Sequence, residues 1–168
     1  MKRITTLCFL LLTFITSHSQ IYNFEFFQEL SELNSVGIIN TLQYSGWEIE
    51  RPTQIVQEDK VITVEKFIFK LEGREQILKR ITEVFPDKGY QVIKTLLIFD
   101  DNLLKQRFIN TIPSFGYEKM LDGKKEIKFE NGYNEVRLIW DYPFENEFYA
   151  RFNRGGAFQL GISGQYYW

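Results

Sequence analysis

The chain has 168 residues, and its 20 lysines and arginines nearly balance its 22 aspartates and glutamates, for a formal charge of −2. Its one cysteine, Cys8, and its one histidine, His18, both lie within the first nineteen residues. Once that stretch is removed, the chain has no thiol nucleophile, no Ser-His or Cys-His pair, no zinc site built on imidazole or thiolate, and no intramolecular disulfide.

Residues 1–19 have the three parts of a cleavable signal peptide. Lys2 and Arg3 open it, and an apolar run from Leu7 to Ile15 follows, broken only by Thr13. Ser17 and Ser19 then place small residues at −3 and −1 before Gln20. The apolar run is too short to span a bilayer, which takes about 20 residues. Cys8 sits inside it, in the wrong context for lipid attachment. The expected working chain is therefore an exported domain over 20–168, periplasmic or extracellular, with no transmembrane helix. Without Lys2 and Arg3 it carries 18 basic and 22 acidic residues, or −4. That balance argues against nucleic acid as a partner, since such binding rests on neutralising phosphates. No cofactor is indicated. Carboxylate pairs and all-oxygen cation sites remain open to the chain.

In chain order, 20–27 reads as a strand, because Tyr22, Phe24 and Phe26 alternate with polar residues. Ser31 to Tyr44 reads as a helix, capped by Ser31 and stopped by Gly46. A strand starts at Trp47, is interrupted by Pro52, and a stronger one follows from Val61 to Leu71. Ile77, Leu78, Ile81, Val84 and Phe85 fall on one helical face, which predicts a helix over 74–85. Tyr90 to Phe99 is a buried strand. Asp100 and Asp101 cap a helix carrying Leu104, Phe108 and Ile112, and Pro113 closes it. A short strand spans 116–120. Asn131-Gly132 is expected to be the turn of a hairpin between 126–130 and 133–142. The tail reads as a second hairpin, 147–152 with 157–162.

An offset of 70 relates Ile39-Asn40-Thr41-Leu42, followed by Gly46-Trp47-Glu48, to Ile109-Asn110-Thr111-Ile112, followed by Gly116-Tyr117-Glu118. Extended without gaps, it pairs 21–71 with 91–141 and leaves 74–85 as a linker helix. The expected fold class is α+β: a largely antiparallel sheet with helices packed on one face, and an internal duplication of a strand-helix-strands unit.

Several groupings invite chemistry. Asp100-Asp101-Asn102 has oxygen ligands but no spaced series for calcium, and suits a helix cap better. Glu48 with Glu50, and Glu145 with Glu147, share strand faces without other signs of acid-base work. Trp47, Tyr117 and Trp140 suit a sugar platform less well than a core. Phe158, Leu160, Ile162, Tyr166 and Trp168 alternate in the manner of a terminal outer-membrane barrel strand, but the helical segments argue against a barrel. The expected function is an exported binding module that meets another protein, with no catalytic motif. Its expected contact residues are Tyr142, Phe144, Phe148, Tyr149, Arg151 and Arg154. Recognition of a glycan or small ligand is the alternative, followed by a carboxylate-based hydrolase or a small outer-membrane barrel.

Overall fold

A computed structural model describes residues 20–71, 74–132, 134–140 and 158–167. The expected signal peptide at 1–19 lies outside them.

The described chain opens on two short helices, α1 (Phe24–Glu32) and α2 (Ser35–Gln43). This corrects the strand expected over 20–27 and the single helix expected from Ser31. Phe24, Phe27 and Leu30 recur at helical spacing and are all fully buried, while Tyr22 is exposed. The aromatics of this stretch fit both periods, and burying the helical set decides between them. Asn23 caps α1 by accepting from Phe26 N–H, and Asn34 caps α2 by accepting from Gly37 N–H. Leu33 is extended between them, so Ser31 lies inside α1 and caps nothing.

The strands are β1 (Glu48–Ile49), β2 (Thr53–Val56), β3 (Val61–Leu71), β4 (Arg74–Phe85) and β5 (Tyr90–Phe99). Helix α3 (Asn102–Thr111) follows, running into a 3-10 turn over Ile112–Phe115. Then come β6 (Glu118–Asp122), β7 (Glu126–Asn131), β8 (Asn134–Trp140) and β9 (Phe158–Tyr167). The helix expected over 74–85 is strand β4. It pairs along its length with β3, from Leu71↔Arg74 onward, and also with β5. Gln76 and Arg80, polar residues facing the core beside Leu78, hide its period-two pattern in the sequence.

All described strand pairs are antiparallel, in the order β1-β3-β4-β5-β9-β8-β7-β6, with β2 also on β3. The hairpin of β7 and β8 is present, shifted by one residue from expectation. Asn131 pairs with Asn134, and Gly132 takes the left-handed φ of 55°. The expected tail hairpin is not formed by 158–162. Those residues pair with β5 on one side and β8 on the other, leaving no free ladder edge for 147–152, which lies outside the described residues. The fixed 70-residue offset also sets helix α1 against strand β5, and its linker helix is β4.

One apolar core joins the helices to one sheet face. It unites Phe24, Phe27, Leu30, Ile38, Leu42, Leu104, Phe108 and Ile112 with Phe67, Leu78, Leu97, Phe129, Val136, Leu138, Leu160 and Ile162. The fold is therefore α+β, a large antiparallel sheet with its helices on one side. Gly46 and Gly116, at φ 80° and 81°, swing the chain from the helical segments into the edge strands. The aromatics that follow them, Trp47 and Tyr117, are both buried in that core. No helix among the described residues is long and apolar enough to cross a membrane.

Candidate functional site

The register aligns the side chains of the face away from the helices into rows. One row runs Lys66, Lys79, Leu96, Gly161, Arg137, Lys128 from β3 to β7. Its neighbour on one side runs Ile81, Lys94, Ser163, Glu135, Glu130. On the other side stand Ile68, Ile77 and Ile98, all buried, with Ile139 further along.

A cavity of about 340 Å³ opens where these rows cross the centre of the sheet. It is lined by Lys94, Leu96, Glu135, Arg137, Ile139, Gly161, Ile162 and Ser163. Its floor is β9, where Gly161 and Ser163 supply almost no side-chain volume between two strands of long residues. A Cβ built on Gly161 would stand 3.0 Å from Leu96 Cδ2, so the glycine keeps this space open.

The rim is a charge network. On the β5 side, Glu83 takes Lys60 at 3.3 Å and Lys94 at 3.0 Å. Burial pushes the Glu83 carboxyl up, but hydrogen bonds and charge from Lys94 and then Lys60 outweigh it and hold the group below the usual carboxylate range. On the β8 side, Arg137 bonds Glu135 and lies 3.2 Å from Glu126, while Lys128 lies 2.8 Å from Glu135. The Arg137 hydrogen bond, opposed by burial and supported by Lys128, lowers the Glu135 carboxyl. Burial, then the neighbouring Lys66 ammonium, pushes Lys79 below the ordinary lysine range, with partial relief from Glu50. The site thus offers fixed, mutually paired charges around a small apolar floor. Such an arrangement orients a partner by complementarity rather than by net charge.

The six contact residues expected from the sequence, Tyr142, Phe144, Phe148, Tyr149, Arg151 and Arg154, lie outside the described residues, as do Glu145 and Glu147. The structure brings none of the other sequence candidates into the cavity. Asp101 caps α3, its Oδ1 accepting from Leu103 N–H at 2.8 Å and Leu104 N–H at 3.0 Å. Glu48 and Glu50 are exposed edge residues facing Lys70 and Lys66. Trp47 and Tyr117 are core, and Trp140 packs against the core with Lys105 Nζ 4.1 Å from its ring centre. No group of three or more potential metal ligands occurs among the described residues. The cavity residues went unread in the sequence because β5, β9 and β8 meet only through long-range pairing. The one available signal was Gly161 and Ser163 alternating with Leu160 and Ile162 in a strand-like run.

No protein-family model, no curated protein and no solved structure matches this chain.

Proposed function

We propose that the chain is an exported binding module that receives another protein on the sheet face away from the helices, at the groove over Gly161. The observation that carries the proposal is a glycine-floored cleft at the centre of a broad face, framed by charges held in fixed pairs.

The test is a crosslinked pull-down of the tagged mature chain from its native cells and medium, run beside Gly161→Val. A stoichiometric protein captured by the parent and lost by the variant is expected. Capture undiminished by Gly161→Val would reject the groove as the contact. Recovery of the chain alone would reject the interaction itself. The cavity volume, about 340 Å³, supports a second reading, since small-ligand sites start near 300 Å³. Saturable heat on titration with glycan fragments, abolished by Gly161→Val, would favour it.

We also infer an internal duplication, in the form of a helix followed by four antiparallel strands. Its support is the shared stretch at 39–48 and 109–118, the paired glycines at φ 80° and 81°, and a strand order that reads equivalently inward from either edge. The two units would meet at β5 and β9. Profiles of the two stretches built from related chains should align above background; alignment no better than shuffled sequence would leave only shared turn chemistry.

A further inference from the structure

We infer that the mature chain carries a cyclised N terminus, Gln20 closing to a neutral pyroglutamyl lactam seated in the cavity at the start of α3. The inference rests on the proposed export reading, in which cleavage after Ser19 leaves Gln20 first.

The residues just after that point are fixed firmly. Ile21 is fully buried, and the side-chain amide of Gln76, itself 2% exposed, grips it from both sides. Ile21 N–H donates to Gln76 Oε1 at 2.9 Å, and Gln76 Nε2 donates to the Ile21 carbonyl at 2.9 Å. Arg107 Nη1 donates to the Tyr22 carbonyl at 3.0 Å. A terminus at residue 20 is therefore held one residue from a buried clamp. Gln20 is half-buried there and lines a cavity of about 230 Å³ with Arg74, Asp101, Leu103, Leu104 and Arg107.

The charges around it disfavour a free α-ammonium. Two guanidiniums border the cavity. The Asp101 carboxylate stands 3.9 Å from Arg74 and also caps α3. The positive end of the α3 dipole points the same way. An ammonium would add like charge to this corner, whereas a lactam adds none and still presents one N–H and one carbonyl. The chemistry balances without an oxidant or reductant. The α-amino nitrogen attacks Cδ of its own side chain, a Cδ–N bond forms in a five-membered ring, the bond to the amide nitrogen breaks, and that nitrogen leaves as ammonia with the proton from the amine.

The test is tandem mass spectrometry of the N-terminal peptide of the chain purified from its native host and quenched in acid on collection. The expected peptide begins at residue 20 and is lighter than its sequence by one ammonia. A peptide beginning at Gln20 with a free amine would overturn the cyclisation and leave export standing. A peptide beginning within the first few residues of the chain, with the signal segment retained, would overturn both, and one beginning at another residue near Gln20 would overturn the cyclisation and leave export standing. The seat is tested separately with pyroglutamyl aminopeptidase. Removal of the lactam at least tenfold slower from the folded chain than from the chain in urea is expected, and equal rates would overturn its placement in the cavity.

Discussion

Under the helices, the sheet carries a buried polar row that can be tested directly. Glu65, Arg80 and Thr95 stand side by side on β3, β4 and β5, exposed by 6%, 6% and 1%. Arg80 Nη1 donates to the Leu33 carbonyl at the end of α1, and Arg80 Nε lies 3.9 Å from Glu65 Oε2. That same carboxylate oxygen accepts from Ser35 Oγ at 2.9 Å at the start of α2. The pair therefore ties the α1–α2 junction to the sheet. Across the sheet, the adjacent row ends in Leu160, Leu138 and Ile127, which are apolar. Arg80→Met strands a buried carboxylate and should cost about 3–5 kcal/mol. For a domain of this size that is roughly 10–15 °C in Tm. Glu65→Ile alone should cost a similar amount by stranding the guanidinium. The double variant Glu65→Ile/Arg80→Met leaves the Leu33 carbonyl and the Ser35 hydroxyl without these partners, about 1–3 kcal/mol each, and gains apolar burial of about 1.5–3 kcal/mol per side chain. It should lie within about 2 kcal/mol of the parent. The assay is urea unfolding followed by tryptophan fluorescence, to which the buried Trp47 contributes, with Tm by circular dichroism as a second probe. A double variant that loses the sum of the two single losses would refute the argument, because independent sites add and a coupled pair does not.

Two further predictions follow from the same geometry. Glu83 and Glu135 have carboxyls lowered by their cationic partners, so their stabilisation is complete above the unfolded glutamate pKa of about 4.3 and is lost as pH falls through the lower folded values. Glu83→Gln should therefore lower Tm at pH 7 and lose less Tm than the parent between pH 7 and pH 3; parallel curves would show that the Lys60–Glu83–Lys94 network contributes nothing. Gly46→Ala and Gly116→Ala force a side chain into the left-handed region and should each cost about 1–2 kcal/mol. Gly161→Ala, whose backbone lies outside that region, asks only the end of the Leu96 side chain to move and should change stability by less than about 1 kcal/mol. Urea midpoints for the three variants check the contrast.

What the sequence made legible was local. Strand 90–99, the helix capped by Asp101 and the β7–β8 hairpin each carry their pattern within a dozen residues, so propensity and turn chemistry suffice to read them. Strand β4 was not legible, because Gln76 and Arg80 point into the core. Gln76 holds the Ile21 backbone and Arg80 the Leu33 carbonyl, contacts 55 and 47 residues away in sequence. Their polarity breaks the alternation that would have marked a strand and leaves a spurious helical face of Ile77, Leu78, Ile81, Val84 and Phe85. The first helix was misread for the opposite reason. Its aromatics satisfy period two through Tyr22, Phe24 and Phe26, and helical spacing through Phe24, Phe27 and Leu30. Only the second set is wholly buried, Phe26 packing at the margin of the core and Tyr22 being exposed. The groove was invisible because its walls, β5 and β8, flank β9 only through pairings between residues far apart in the sequence.

The proposed placement of a binding surface at the groove over Gly161 also agrees with what the rest of the sheet disfavours. The helix-side face is closed by the core. The two edges are the other surfaces where a partner could add, and both are blunted. One edge is split into β1 and β2 around Arg51 and Pro52, and a proline offers no N–H to an incoming strand. The other, β6, is five residues long, is bulged between Lys119 and Leu121, and carries Glu118, Lys119 and Asp122. Short, bulged and charged edges are the means by which sheets avoid unwanted strand addition. The face over β9 has the reverse character. It is central, lies between long strands and is recessed by Gly161. A partner that docks there gains contact on both walls without competing for the backbone ladder, so its recognition should depend on Leu96, Ile139 and the paired charges of Lys94 and Arg137 rather than on strand pairing.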